Sequence, residues 1–174
     1  MTEKTLTYDE LHINISDIYA QMGYGDTMPS QDVVKAVADM TNEIRTWLKA
    51  RFVFCTAYGT ADTANSEVAL CIGGEHIRFS CSPIITRQLN KAHAYAVFIA
   101  TAGTEYQDFI ERCTNDMFLT FIADAIGSVI AEACGDRMEE ILQTQIDKLK
   151  WKRTNRFSPG YCGWHVSEQQ KLFP

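Results

Sequence analysis

Residues 67–80 read Glu-Val-Ala-Leu-Cys-Ile-Gly-Gly-Glu-His-Ile-Arg-Phe-Ser, two runs of six residues on either side of a glycine pair. Both runs contain β-branched or aromatic side chains, and Gly73-Gly74 tolerates the positive φ angles that a two-residue type I′ turn requires. The stretch therefore predicts an antiparallel hairpin with strands Glu67–Ile72 and Glu75–Ser80, the clearest antiparallel signal in the chain. His76 is interpreted as a strand-face residue.

Two further strands are predicted on either side of this hairpin. Residues Phe52–Tyr58 are short, aromatic and β-branched. Residues Ala94–Ala100 carry no charge, a pattern typical of a strand buried on both faces. The turn Thr101-Ala102-Gly103-Thr104 closes the second strand, and its small residues predict a place where backbone can approach a ligand.

Apolar periodicity predicts several helices, while residues 1–7 are polar and are expected to be loose. A short helix over Ile13–Met22 ends at Gly23. A second helix follows Ser30, its N-cap, with an apolar stripe typical of a core-facing helix. A third helix follows Ser82 or Ser80. The stripe of the second helix consists of Val33, Val34, Val37, Met40, Ile44, Trp47 and Leu48.

A long helical region begins at Glu105, breaks near residues 114–116 and continues to residue 152. Its second helix has an apolar face beside a polar row, Asp124, Ser128 and Glu132, and a row of small residues. The polar row is either a solvated helix face or the edge of a groove. The apolar face consists of Phe118, Phe121, Ile122, Ala125, Ile126, Val129, Ile130 and Ala133, and the small row of Gly127, Ala131 and Gly135.

The composition excludes some classes of protein. A chain of 174 residues suits one domain, and 46% hydrophobic with 22% charged residues is typical of a globular protein. With 16 Lys and Arg against 22 Asp and Glu, the net charge of -6 argues against a nucleic-acid partner. No signal peptide or membrane-spanning apolar run is recognised, which predicts a cytoplasmic protein without a membrane partner.

The six cysteines form no C-x-x-C pair. They are interpreted as mostly buried free thiols in a reducing compartment, and no metal site is predicted.

Arg156-Phe157-Ser158-Pro159-Gly160-Tyr161, followed by Cys162-Gly163-Trp164-His165, is a turn-rich segment that carries chemistry. Arg156 offers a planar fork of donors for a carboxylate or phosphate. Tyr161 and Trp164 offer faces on which a planar group can stack. Two interpretations remain open: a ligand-binding loop, or a surface turn whose aromatic residues pin it to the core.

The pattern Arg-x-x-x-Gly-Tyr resembles the S-adenosylmethionine-binding signature of the activation domain of cobalamin-dependent methionine synthase. Three further segments are similar to that family in order and rough spacing: residues 101–103, 124–128 and 131–133. The resemblance covers most of the chain from about Arg51 onward.

This resemblance implies an α+β fold with a twisted antiparallel sheet and packed helices. Together with the helical region that periodicity predicts at residues 1–50, it predicts one domain over residues 1–174. It implies a reactivation subunit of a split, free-standing kind that is not active alone. Such a subunit binds S-adenosylmethionine and docks on a corrinoid-binding protein or the methionine synthase catalytic chain. Cobalamin is carried by that partner, and a reductase such as a flavodoxin supplies an electron for reductive methylation of cob(II)alamin.

Site residues follow from the same resemblance. Arg156 would bind the methionine carboxylate, while backbone at Phe157 and Gly160 and the side chain of Tyr161 would line the S-adenosylmethionine site. Asp124 would meet the partner's displaced cobalt-ligating histidine. Glu132 is a further candidate for cofactor binding. Trp164 and His165 are predicted partner contacts, although His165 either faces the corrinoid ring or caps a turn, and no catalytic residue is assigned.

Departures from the family keep a second function open. Ser128 and Lys150 stand where the fused enzymes carry acidic residues, and the family normally continues beyond residue 174. The alternative is a noncatalytic corrinoid-protein-binding or sensing module that has lost S-adenosylmethionine binding. A methyltransferase of the common doubly wound type is disfavoured because Gly73-Gly74 lies in a hairpin, and no G-x-S-x-G motif suggests a hydrolase.

Overall fold

The computed structural model describes residues 1–172, and Phe173 and Pro174 lie outside the described residues. Five strands form one sheet in the order β1-β2-β3-β4, with β5 paired to β2. The predicted α+β class, an antiparallel sheet with packed helices, is confirmed. The elements are β1 (Thr2–Leu6), the 3-10 helix η1 (Tyr8–Glu10), α1 (Ile15–Gln21), α2 (Gln31–Arg45), β2 (Ala50–Asp62), β3 (Glu67–Ile72), β4 (Glu75–Ser80), α3 (Pro83–Leu89), β5 (Tyr95–Thr101), α4 (Thr104–Cys113), α5 (Met117–Asp147) and the 3-10 helix η2 (Val166–Leu172).

The predicted hairpin is confirmed with its boundaries. Strands β3 and β4 pair antiparallel from Ile72↔Glu75 at the turn to Glu67↔Ser80 at the far end. Gly73 and Gly74 have φ angles of 61° and 92°, so both lie in the positive-φ region that a type I′ turn needs. Strand β2 pairs antiparallel with the other edge of β3 and is longer than predicted.

Spatial contacts between residues group the chain into two compact units. The first unit contains residues 54–97 and the chain from residue 145 onward, together with Met1. Its core is built on the strands, and Trp164 and Leu172 of the C-terminal segment pack against it. The buried residues of this core are Ala57, Val68, Leu70, Phe79 and Tyr95.

The second unit contains residues 2–53 and 98–144, and therefore α1, α2, α4 and most of α5. The expectation of a loose N-terminus is wrong, because Thr2–Leu6 forms β1 with alternating exposure and Leu6 is fully buried. The exposed residues of this edge strand are polar, so the sequence resembles a loose polar segment and does not reveal the strand. That residues 1–174 form one domain, with a boundary near residue 50, stays a prediction.

The predicted break between α4 and α5 is confirmed. Helix α4 ends at Cys113 and α5 begins at Met117, where Asp116 Oδ1 accepts the N–H groups of Phe118 at 2.9 Å and Leu119 at 3.2 Å. Helix α5 ends at Asp147, earlier than expected, and Lys150 beyond it has a φ of 56°, which an α-helix cannot contain.

Strand β5 is less buried than predicted. Ala96 is exposed, and residues 97–100 are only partly buried. The prediction of a strand buried on both faces is wrong, because an uncharged run does not show what covers each of its faces, and exposure of the small side chain of Ala96 costs little.

Helix α5 also corrects the expectation that no segment reaches membrane-spanning length. Its 31 residues are long and apolar enough to cross a membrane. The core helix of a soluble protein meets the same criteria, and ten residues of α5 are buried within the fold. The helix is therefore weak support for a membrane span, and a cytoplasmic location stays a prediction.

Candidate functional site

The Arg156 segment forms a hydrogen-bonded turn in the first unit. The N–H of Tyr161 donates to the carbonyl of Ser158 at 3.2 Å, and the N–H of Trp164 donates to the carbonyl of Tyr161 at 2.9 Å. The N–H of Gly160 closes the turn by donating to the carbonyl of Trp164 at 2.7 Å. Three of its residues, Gly160, Cys162 and Gly163, have positive φ angles of 101°, 52° and 76°. The turn is thus a defined conformation rather than an open loop.

Trp164 anchors this turn to the sheet. Its ring meets that of Phe79 on β4 edge-on, with centroids 5.7 Å apart and an interplanar angle of 86°. Beside it, the position of a Cβ on Gly163 lies 3.3 Å from Cβ of Ser82. The interpretation of an aromatic residue that pins the turn to the core therefore holds for Trp164, while its contact with a partner stays a prediction.

The remaining residues of the turn differ in exposure. Arg156 and Phe157 are half-buried, Gly160 is exposed, and Tyr161 is 68% exposed. A guanidinium can bind a carboxylate through two parallel hydrogen bonds, and an exposed phenol ring offers a face to a planar base. The segment therefore carries a donor and an exposed aromatic ring, the two kinds of group that bind an amino-acid nucleoside.

His165 caps the start of η2. Its Nδ1 accepts the N–H of Ser167 at 3.2 Å and lies 2.7 Å from Ser167 Oγ. Because Nδ1 is an acceptor, the neutral ring carries its proton on Nε2. The ring is exposed, so turn capping is one role of His165, and its contact with a corrinoid partner stays a prediction.

Asp124, Ser128 and Glu132 lie on α5 in the second unit, one per helical turn. Asp124 and Glu132 are exposed, and Ser128 is half-buried, as a solvated helix face requires. Gly127, in the small-residue row, explains the close approach predicted there, because a Cβ at this position would lie 2.6 Å from Cε1 of Tyr106 on α4. The roles of Glu132 in cofactor binding and Asp124 in partner contact stay predictions.

Three apolar side chains at the start of α5 are exposed, and two of them, Phe118 and Phe121, belong to the predicted apolar face. Met117 is 88% exposed, Phe118 42% and Phe121 52%. Helical spacing places Phe121 one turn before Asp124, so the exposed apolar side chains and the carboxylate share a helix face. Periodicity alone did not reveal this surface because an apolar stripe looks the same whether a core or a partner covers it.

The Gly103 turn has a structural explanation. Gly103 has a φ of 98°, and a Cβ there would lie 2.5 Å from the carbonyl oxygen of Lys49. The backbone of Gly103 therefore approaches protein backbone, and the prediction of a ligand-approach site at this turn is not supported.

A cavity of about 210 Å³ lies in the second unit and contains none of the predicted site residues. Arg45, the cation in its wall, pairs with Asp9 at 3.1 Å and lies 5.0 Å above the ring of Tyr8. Its lining residues are Tyr8, Ile15, Ala38, Thr41, Asn42 and Arg45.

The six cysteines of the chain are free thiols. Cys113 and Cys134 are buried, three are half-buried and Cys162, in the Arg156 turn, is exposed. Burial raises the pKa of Cys134 to about 11, which keeps that thiol protonated and unreactive at neutral pH.

Comparison with known proteins identifies the fold. No protein-family model matches the chain, and no curated protein matches it. Among solved structures, the chain is similar to the crystal structure of the MetH reactivation domain bound to AdoHcy, with a TM-score of 0.68 and 13% identity. The match covers 99% of this chain and 68% of that one. At this identity the likeness establishes a common fold.

Proposed function

We propose that the chain is a reactivation component of a cobalamin-dependent methionine synthase that binds S-adenosylmethionine at the Arg156 turn. The observation that carries the proposal is that the Arg-x-x-x-Gly-Tyr pattern falls in a turn with fixed backbone and an exposed Tyr161. Likeness of fold to a domain bound to AdoHcy supports the same ligand class, since AdoHcy is S-adenosylmethionine without its methyl group.

The residues of the turn fit the chemistry of this ligand. Arg156 binds the methionine carboxylate through its guanidinium fork, and the ring of Tyr161 lies against a planar part of the ligand. Gly160 lets the ligand approach bare backbone because the space beside it is open, with Val166 Cγ2 as its nearest neighbour at 4.0 Å. Phe157 contributes backbone to the site.

The partner carries the cobalamin, which supplies the cobalt that is reduced and methylated. Bound to that partner, cobalamin would supply the redox and methyl-transfer chemistry, with one electron from a reductase such as a flavodoxin and the methyl group from S-adenosylmethionine, which would leave S-adenosylhomocysteine. The chain itself binds the methyl donor and docks on the partner, so it is not active alone. Asp124 stabilises the partner's displaced histidine, and Met117, Phe118 and Phe121 provide apolar contact area beside it.

A second candidate function rests on Ser128 and Lys150, which stand where the fused enzymes carry acidic residues. Lys150 is exposed beyond the end of α5. Its positive charge can repel a sulfonium, and its ammonium group cannot accept hydrogen bonds from ribose hydroxyls. A module that docks on a corrinoid protein without binding S-adenosylmethionine would have this composition.

Isothermal titration of S-adenosylmethionine into the purified chain tests the proposal, with S-adenosylhomocysteine as a second ligand. We expect saturable binding that Arg156→Ala weakens by about tenfold or more, since a charge-assisted contact with a carboxylate contributes at least about 1.5 kcal/mol.

Arg153→Ala is the matched control because it removes the same charge from the same segment three residues earlier. Equal loss in both variants would indicate a general charge effect and contradict the assigned site. Absence of binding by the chain, both alone and with a cobalamin-loaded partner, would favour the docking module.

A further inference from the structure

Strand β4 is an edge of the sheet, and its register shows which of its backbone groups face outward. Because a two-residue turn joins β3 and β4, Ile72 and Glu75 form a hydrogen-bonded pair, and alternate residues from there bond to β3. The intervening residues His76, Arg78 and Ser80 direct their N–H and C=O groups away from β3. An edge of this kind requires partners or water for those groups.

Two charged side chains of η2 meet this edge in the place of a neighbouring strand. Glu168 Oε2 accepts the N–H of Ser80 at 2.8 Å, and Lys171 Nζ donates to the carbonyl of Arg78 at 2.8 Å. Lys171 Nζ also donates to Glu168 Oε2 at 2.7 Å, which joins the two contacts. We call Glu168 and Lys171, with these two backbone partners, the edge clasp.

The edge clasp is partly withdrawn from solvent. The side chain of Glu168 is only 14% exposed, and that of Lys171 is 40% exposed. Burial raises the pKa of Glu168, but the hydrogen bonds from Lys171 and from the N–H of Ser80 outweigh it and lower the pKa below its usual value. The folded protein thus favours the charged carboxylate in this position.

A continuous set of contacts connects the edge clasp to the Arg156 turn. The N–H of Glu168 donates to the carbonyl of His165 at 3.1 Å, and Trp164, next in the chain, packs on Phe79 beside Ser80. Trp164 in turn accepts the N–H of Gly160 and donates to Tyr161. The segment that holds η2 on β4 therefore also fixes the backbone on which Tyr161 stands.

We propose that Glu168 and Lys171 are positioning residues that hold the Arg156 turn in its binding conformation by fastening η2 to the edge of β4. The assignment of a ligand to that turn rests on the proposed function. The effect on the order of the turn is independent of any ligand. Nothing in the motif Arg-x-x-x-Gly-Tyr indicates either residue, since both lie beyond it and act through Trp164.

Amide hydrogen exchange measured by NMR on the ligand-free chain tests the proposal. In Glu168→Ala we expect the amides of Ser80, Gly160 and Trp164 to exchange at least about tenfold faster. The amide of Ser80 loses its hydrogen-bond acceptor, and the turn that contains Gly160 and Trp164 loses the attachment of η2 to β4. Lys171→Ala, which leaves the acceptor of Ser80 in place, should accelerate Gly160 and Trp164 with a smaller effect on Ser80. It also provides a second variant if Glu168→Ala folds poorly.

Gln169→Ala is the matched control, since Gln169 is an exposed residue of the same 3-10 helix. Unchanged exchange at Gly160 and Trp164 in both clasp variants would overturn the proposal, whether or not S-adenosylmethionine binds. Faster exchange with unchanged affinity for S-adenosylmethionine would also overturn the positioning role. Faster exchange in a chain that binds no S-adenosylmethionine, either alone or with a cobalamin-loaded partner, would support the clasp and refute only the proposed function.

Discussion

At Gly127 the helices α4 and α5 approach so closely that a single methyl group does not fit. A Cβ there would meet Cε1 of Tyr106 at 2.6 Å, and Tyr106 cannot move freely because its hydroxyl donates to the carbonyl of Ala123 at 2.7 Å. Tyr106 is also 2% exposed and packs against Trp47, with ring centroids 6.2 Å apart. The contact is therefore a rigid one.

We expect Gly127→Ala to lower the free energy of unfolding by about 1–3 kcal/mol through overpacking, despite the better helix propensity of alanine. Urea unfolding followed by circular dichroism measures the change. Ser128→Ala, at the next position of α5, should stay within about 0.5 kcal/mol of the wild type. A stabilised Gly127→Ala chain would contradict the packing described here.

Individual glycines also show how far a sequence predicts local structure. The sequence shows a glycine at positions 103, 127 and 160, but it does not show why each position requires glycine. Gly103 avoids the carbonyl of Lys49, Gly127 avoids Tyr106, and Gly160 stands in open space with a φ of 101°. The first two reasons depend on residues distant in the chain, and only the third is suggested by the neighbouring Pro159.

At the scale of the element, the hairpin β3–β4 depends on two consecutive residues with positive φ. We expect replacement of Gly73 and Gly74 together by alanine to lower the free energy of unfolding by about 2 kcal/mol, since each L-residue in that region costs about 1 kcal/mol or more. Gly73→Asn should remain close to the wild type because asparagine tolerates this conformation. Chemical denaturation of the two variants checks both expectations, and equal stability would argue against the type I′ turn.

Elements with characteristic residues at their boundaries were predicted, whereas elements that depend on contacts with distant residues were not. The hairpin, the start of α2 after Ser30 and the break between α4 and α5 were predicted from glycine and polar residues near each boundary, although the side chain of Ser30 makes no capping hydrogen bond. Strand β1 was missed because its residues become a strand only by pairing with β2. Exposure of Phe118 and Phe121 was missed because periodicity identifies an apolar face without identifying what covers it.

At the scale of the whole molecule, the proposed function requires a surface that recognises a protein partner. We expect Phe121→Asp to weaken docking on a cobalamin-loaded methionine synthase catalytic chain by more than about tenfold, since a central aromatic contact commonly contributes about 2 kcal/mol or more. Affinity of the ligand-free chain for that partner can be measured by biolayer interferometry.

Tyr58→Asp, which changes another exposed aromatic residue in the first unit, is the control and should leave docking unchanged. Equal affinity of Phe121→Asp and the wild type would exclude the start of α5 from the interface.

Only the part of the candidate site that forms a short sequence motif was predicted. Arg156, Gly160 and Tyr161 follow from chain spacing, and the turn that contains them is present. The support of that turn was not predictable, because Glu168 and Lys171 reach β4 across about ninety residues of sequence, and a charged pair in a terminal segment resembles ordinary surface composition.

The edge clasp also bears on association between copies of the chain. An uncovered strand edge is a template on which further chains can add as strands, and charged side chains at such an edge oppose that growth. Proteolytic removal of the residues after His165 would uncover the outward groups of Arg78 and Ser80. A clipped chain would then be prone to intermolecular β-pairing and precipitation.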